Sequence, residues 1–280
     1  MTPQTDIIGE HPKNPNLFEK WFASKDISPV PSRCHRSLTA KISSDDPELV
    51  SWLAQKVIDH HYSPNKLKRL KRKYKEVGFP QYARQQRQTP NLLNTRKGNA
   101  TEIVLIEYIL DCQPDREFIK YYKFRYNPNV DQSMKGDDAL LIDFIDDEPG
   151  SEEIKVFLGE AKFRSRPDKP VLDEISASLG KDKLPLSFTF LVDRLSEDPK
   201  TEAVAELLEN FIMEEVKAKG NMRFVGMLLS NPNVANFVEN KFNCDNPQMV
   251  IISAGLDNPK LLIDEVFKEV KNLVANPDSL

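Results

Sequence analysis

The 280-residue sequence predicts an α/β protein of the mixed (α+β) kind, a mixed β-sheet flanked by helices. Three observations carry that prediction. Residues 99–110 form an almost unbroken apolar run of helical length. Residues 139–145 and 154–163 are apolar runs of strand length joined by an acidic turn containing Pro149 and Gly150. Residues 223–229 and 249–254 are further apolar, β-rich runs, with helical patterns before them at 202–219 and after them at 260–275.

Residues 1–35 carry Pro3, Pro12, Pro15, Pro29 and Pro31 with little periodicity, and read as a loosely ordered arm. Within it, Phe18, Trp21 and Phe22 stand at helical spacing and are expected to pin a short helix to the body. Behind Pro47, the residues Leu49, Trp52, Leu53, Val57 and Ile58 repeat at helical spacing. Asp45 or Asp46 can cap that helix, because a short carboxylate accepts from the free N–H groups of a first turn. A basic helix follows Pro64, Gly78-Phe79-Pro80 ends it, and residues 81–88 read as another short helix. Residues 1–90 are thus an arm and a basic, mostly helical region ahead of a domain at 91–280. In that domain the helix at 99–110 precedes strands near 118–126, 138–145 and 154–163 and a helix at 171–180; residues 187–195 are ambiguous between strand and helix.

Composition narrows the class. Hydrophobic residues make up 39% and charged residues 29%, as in a soluble globular protein. No apolar run approaches the ~18 residues of a membrane helix, and the polar start shows no secretion leader. Cys34, Cys112 and Cys244 are odd in number and widely spaced, which fits a reducing cytoplasm rather than a disulfide framework. His11, His35, His60 and His61 all lie in the first quarter, so no zinc site is expected in the core, and His60-His61 is expected to be structural. No phosphate-binding glycine loop occurs, so no ATPase activity is expected.

The chemistry concentrates between Lys135 and Arg164. Alternate side chains of a strand share a face, so Glu160 and Lys162 point together, in line with Val156 and Leu158. If the runs at 139–145 and 154–163 pair as a hairpin, Asp138 at the mouth of the first strand lies close to Glu160 on the second. Two carboxylates that close repel unless a cation lies between them. Mg²⁺ suits the position, with Mn²⁺ able to substitute, because it takes one or two carboxylates plus water and phosphate. Lys162 would then orient the attacking water or stabilise charge on a phosphate. An acid at one strand mouth and Glu-x-Lys on the next is the pattern of the PD-(D/E)xK nucleases. Glu-x-Lys alone is uninformative, since Glu153/Lys155, Glu215/Lys217, Glu239/Lys241 and Glu269/Lys271 repeat it. Only Glu160/Lys162 follows an apolar strand whose predecessor opens with Gly136-Asp137-Asp138. A third acid is expected at Glu102, with Glu107 as the alternative. Asn99 and Glu102 also make a capping-box pattern, in which Glu102 would serve a helix end instead.

The runs Thr95-Arg96-Lys97-Gly98-Asn99-Ala100-Thr101-Glu102, Met134-Lys135-Gly136-Asp137-Asp138 and Gly159-Glu160-Ala161-Lys162-Phe163-Arg164 together resemble the HamA family of Hachiman antiphage defence systems. The resemblance covers about residues 40–275 and is strongest at 95–180. It implies a PD-(D/E)xK, restriction-endonuclease-like core and a superfamily 2 helicase (HamB-like) as partner. It implies Asp138, Glu160 and Lys162 as the catalytic core, with Glu102 on the first helix and the backbone carbonyl of Ala161 completing the metal shell. It also favours Asp138 over Asp137, because the superfamily acid directly precedes the apolar strand.

The formal net charge is −4, yet residues 63–97 hold eleven basic residues and one acid, Glu76, leaving −14 over the rest. Such segregation can gather phosphate affinity on one face of an acidic protein. Lys66, Lys68, Arg69, Lys71, Arg72 and Lys73, with Arg164 and Arg166, are the expected nucleic-acid contacts. A helicase with an acidic patch is the other candidate partner for the basic run. The expectation is therefore a Mg²⁺-dependent DNA nuclease of antiphage defence, with no membrane association. The alternatives are a non-enzymatic module docking DNA or helicase, and a repair or restriction nuclease on the same fold.

Overall fold

The structure, a computed structural model, describes residues 3–77, 88–134, 136–146, 152–180, 185, 187–197, 199, 201–213 and 220–275. The helices among them are α1 (Gln4–Ile8), α2 (Leu17–Trp21), α3 (Pro47–His61), α4 (Pro64–Val77), α5 (Leu93–Asp111), α6 (Lys169–Ser178), α7 (Phe188–Ser196), α8 (Glu202–Met213), α9 (Val234–Lys241) and α10 (Pro259–Ala275). The strands are β1 (Phe22–Val30), β2 (Arg33–Ala40), β3 (Phe118–Lys120), β4 (Ala139–Asp146), β5 (Glu152–Phe163), β6 (Met222–Ser230) and β7 (Met249–Gly255). They form one mixed sheet in the order β1-β2-β7-β6-β5-β4-β3. The β2/β7, β7/β6 and β6/β5 pairs are parallel; the others are antiparallel.

Two cores lie on the two faces of this sheet. Phe157, Ala161 and Phe163 of β5 join the core built by α1, α2, α3, α5 and α10; Val156 and Leu158 join the core of α6, α7, α8 and α9. The alternation follows from strand geometry. α5 is the central helix: residues 99–109 are all buried. That explains its almost unbroken apolar run, since a helix enclosed on all sides has no polar face to show. Gly159 lets it approach, because a Cβ there would stand 2.7 Å from Ala139 Cβ and 2.8 Å from Leu105 Cδ2.

The predicted α/β class with a mixed, helix-flanked sheet is the observed one. The hairpin at 139–145 and 154–163 is β4/β5, pairing Ala139 with Gly159. Asp46 caps α3, accepting from the N–H groups of Glu48 and Leu49 at 3.0 Å. Other expectations need correction. Residues 1–35 are not a loose arm: they hold α1, α2 and β1, and β2 runs parallel to β7 from His35/Ile251 to Thr39/Gly255. The amino-terminal region thus gives two strands to the common sheet beside its helices α1, α2, α3 and α4. The strand expected at 118–126 ends at Lys120 and gives way to a 3₁₀ turn at Lys123–Tyr126. α5 begins at Leu93, so Asn99 lies inside the helix and no capping box forms at Glu102. The segment at 187–195 is helical from Phe188, with Ser187 at the N-cap. Gly78-Phe79-Pro80, the short helix at 81–88 up to residue 87, the turn from Asp147 to Ser151 and residues 214–219 lie outside the described residues.

Candidate active site

The β4/β5 register sets the site. With Ala139 opposite Gly159, the next residues in line are Asp138 and Glu160. Asp138 Oδ2 accepts the backbone N–H of Ala161 at 2.9 Å, which turns its carboxylate across the strand mouth. Lys162 Nζ lies 2.5 Å from Glu160 Oε1, and the two side chains are 28% and 13% exposed. Burial and the charge of Asp138 raise the Glu160 pKa, against opposing contacts from Lys162 and Ser178. Burial favours the neutral amine at Lys162, but Glu160 and Asp138 outweigh it and the pKa is raised. Lys162 is thus an ammonium at neutral pH, suited to stabilising anionic charge.

Asp137 points elsewhere. Its carboxylate accepts the Ser187 N–H at 2.7 Å, and its own N–H donates to Ser187 Oγ at 3.0 Å. This reciprocal pair ties the strand mouth to the start of α7. Gly136 permits it: φ is +118°, and a Cβ there would stand 2.6 Å from Ser187 Oγ. Asp138, not Asp137, is the acid that reaches Ala161 and the Glu160 side of the sheet.

Glu102 approaches from the other face of β5, where α5 packs. It meets Asp138 through a residue that the sequence reading missed. Lys123 Nζ lies 2.6 Å from Glu102 Oε2, 3.3 Å from Asp138 Oδ1 and 3.0 Å from the Asp137 carbonyl oxygen. Burial raises the Glu102 pKa to about 8; Lys123 opposes that rise and Asp138 adds to it. Burial disfavours the Lys123 ammonium, yet the two carboxylates prevail and its pKa is raised. No sequence pattern marks Lys123, because its role depends on a 3₁₀ turn in a segment that reads as a strand.

Among the described residues, no three His, Cys, Asp or Glu side chains converge closely enough to hold a metal by themselves. A hard divalent cation such as Mg²⁺ needs only one or two carboxylates, with water and substrate phosphate completing its shell. Asp138 and Glu160 fit that need: they are adjacent oxygen donors, and the charge of one raises the proton affinity of the other. The sequence grouped Glu102 with them; the structure brings it to Asp138, with Lys123 bound to both carboxylates.

The remaining candidates take other places. Glu107 binds His60 Nε2 at 2.8 Å and Lys56 Nζ at 2.5 Å, away from Asp138. Burial opposes its ionisation, but His60 and Lys56 hold its pKa down at about 2. His61 is buried, with Nδ1 on the Val57 carbonyl at 2.7 Å and Nε2 on Asn99 Nδ2 at 2.9 Å. On α4, Leu67 and Leu70 pack toward the core while Lys68, Arg69 and Arg72 are exposed; Lys66 is half-buried, 6.0 Å over the Tyr62 ring. The Lys71 and Lys73 side chains lie outside the described residues. Arg164 pairs with Asp168 at 3.7 Å and Glu174 at 3.8 Å, and Arg166 is exposed.

Known proteins share this sequence over nearly its whole length. The family described as HamA matches residues 15–270 of the chain. The Hachiman protein HamA of Bacillus cereus is 38% identical over 273 residues, covering 95% of each chain.

Proposed function

The chain belongs to the HamA family of the Hachiman antiphage defence system, and from that premise we propose that it is the system's metal-dependent DNA nuclease, acting with a partner helicase. The observation that carries the proposal is the adjacency of Asp138, Glu160 and Lys162 at one strand mouth, two acids and an ammonium fixed by a single hairpin register. A purely structural hairpin would place apolar side chains on the Val156/Leu158 face instead.

Asp138 and Glu160, with the Ala161 carbonyl, would hold Mg²⁺ or Mn²⁺. When bound, the cation supplies Lewis acidity that polarises a phosphate oxygen and acidifies water. The chain supplies the rest. The Ala161 N–H holds the Asp138 carboxylate in orientation. Lys162, partly open to solvent and protonated, places positive charge beside the phosphate and donates hydrogen bonds to the oxygens that gain charge. Its protonated state makes it a stabiliser of charge rather than a general base. The exposed cations Lys68, Arg69 and Arg72 would contact backbone phosphates, which position a strand without reading its sequence.

The test is cleavage of linear DNA by the purified chain, with Mg²⁺ or with chelator, alongside Glu160→Gln. Metal-dependent cleavage that Glu160→Gln abolishes supports the proposal. Cleavage that survives Glu160→Gln in folded protein overturns the site. Absence of metal-dependent cleavage, alone and with the helicase, favours a docking module on the same fold.

A further inference from the structure

Among the described residues, Lys123 is the one cation enclosed by oxygens of the candidate site. Its Nζ has three of them within 3.3 Å: Glu102 Oε2, Asp138 Oδ1 and the Asp137 carbonyl. The side chain is 4% exposed. A buried ammonium is costly to desolvate and persists only where oxygens surround it. Its place is also firmly set. The neighbouring Phe124 ring stacks on His61 at 4.7 Å, and Arg125 donates twice to the Asp59 carbonyl, at 3.2 and 2.6 Å. The turn carrying Lys123 is thereby clamped to the end of α3.

We propose that Lys123 is a built-in cation that fills one of two cation positions around Asp138, so that this nuclease site takes a single divalent ion. The inference rests on the nuclease reading of the same site. The three oxygens around Nζ, two of carboxylates and one of a backbone carbonyl, are hard donors of the kind a divalent ion seeks. They lie toward Glu102, whose helix packs on the opposite face of β5 from Glu160. Two-metal hydrolases place their ions about 3.5–4 Å apart, sharing a bridging carboxylate. Here Lys123 lies against Oδ1 of Asp138, the carboxylate that with Glu160 would hold the divalent ion. An ammonium in the second position offsets one unit of negative charge on the Glu102/Asp138 pair but offers no vacant coordination to a phosphate. The position is then electrostatic support for the first ion rather than a reacting centre.

The test is Mn²⁺ binding to the full chain, counted by calorimetry and by electron paramagnetic resonance, which separates isolated from coupled ions. The wild type is expected to bind one isolated ion. Lys123→Met vacates the position and is expected to bind two, with a coupled spectrum and a larger metal-induced rise in Tm. Lys123→Arg keeps the charge and is expected to bind one. Two ions on the wild type, or one ion on folded Lys123→Met, overturn the inference while leaving the nuclease reading intact. If Lys123→Met does not fold, the wild-type count decides: one isolated ion supports the inference, and a coupled pair overturns it. A wild type that binds no ion removes the metal reading itself and this inference with it.

Discussion

Asp138 Oδ2 accepts the N–H of Ala161 at 2.9 Å, a side-chain link from the mouth of β4 to the strand that carries Glu160 and Lys162. The link gives one residue a structural duty through an acceptor oxygen, beside the duties of its charge toward Lys123 and toward a bound cation.

Replacement separates them. Asp138→Asn keeps an acceptor for the Ala161 N–H and loses the charge. Its urea midpoint is expected to fall, because the buried Lys123 ammonium loses a carboxylate partner, and cleavage should fall on the order of 10²-fold or more, the scale of removing one electrostatic stabiliser of a transition state. Asp138→Ala also orphans a part-buried N–H, so it should lose about 1–3 kcal/mol of stability as well. Wild-type cleavage by Asp138→Asn would show that the charge has no part in the chemistry.

Gly136 should tolerate little. Its φ of +118° disfavours any side chain, and an added Cβ would meet Ser187 Oγ at 2.6 Å. Gly136→Ala is expected to cost about 1–3 kcal/mol, the usual scale of backbone strain. It should also reduce cleavage, because the Asp137–Ser187 pair beside Asp138 must shift. A loss of stability with cleavage unchanged would show that the pair supports the fold alone.

The hairpin and its acids were legible because strand alternation and the preceding Gly-Asp-Asp act over a few residues. Glu102 and Glu107 stood out alike as acids in the apolar part of α5, and only the fold separates them, Glu102 beside Lys123 and Glu107 beside His60. Strands β1 and β2 were not. β1 contains Pro29, which an edge strand tolerates but which reads as a breaker. In β2, His35, Arg36 and Ser37 are buried, so the polar pattern hides a strand whose partner β7 lies more than 200 residues away. Arg36 can be buried there because Asp26, its register partner on β1, meets it at 2.7 Å. Lys123 stayed hidden for a similar reason: its three oxygen partners come from two separate places in the chain, Glu102 and Asp137-Asp138, and meet only in the folded protein.

The buried histidines should make stability fall with acidification below pH 6.5, against the opposite pull of Glu102, whose raised pKa keeps a proton on the folded chain. Burial drives the His61 pKa from 6.5 down to about 3, against the pull of the Val57 carbonyl, and burial brings His35 to about 4. Between those values and pH 6.5, the unfolded chain binds protons that the folded chain refuses. The stabilising contribution is therefore complete above pH 6.5 and is lost as pH falls, by at most ~1.4 kcal/mol per pH unit for each proton. Urea midpoints are expected to be lower at pH 5 than at pH 7, with a shallower dependence in His61→Gln. Equal pH dependence in the two proteins would mean that His61 does not contribute.

The basic face of α4 can be assigned with one variant. Changing Lys68, Arg69 and Arg72 to Gln should flatten the salt dependence of duplex binding, by about 0.9 in the slope of log K against log[salt] for each phosphate that the variant no longer neutralises. Unchanged DNA binding with failed helicase co-purification would assign the surface to the partner. No change in either would leave it a solvated face.

The central claim is that Asp138, Glu160 and Lys162 work as one hydrolytic unit, and single-turnover cleavage by Glu160→Gln, Lys162→Met and the double variant tests it most directly. Groups that act together lose their effect together. The double variant is therefore expected to cleave about as slowly as the slower single variant, with all three proteins retaining wild-type thermal unfolding. Losses that multiply in the double variant, or cleavage at the wild-type rate in either single variant, would contradict the account.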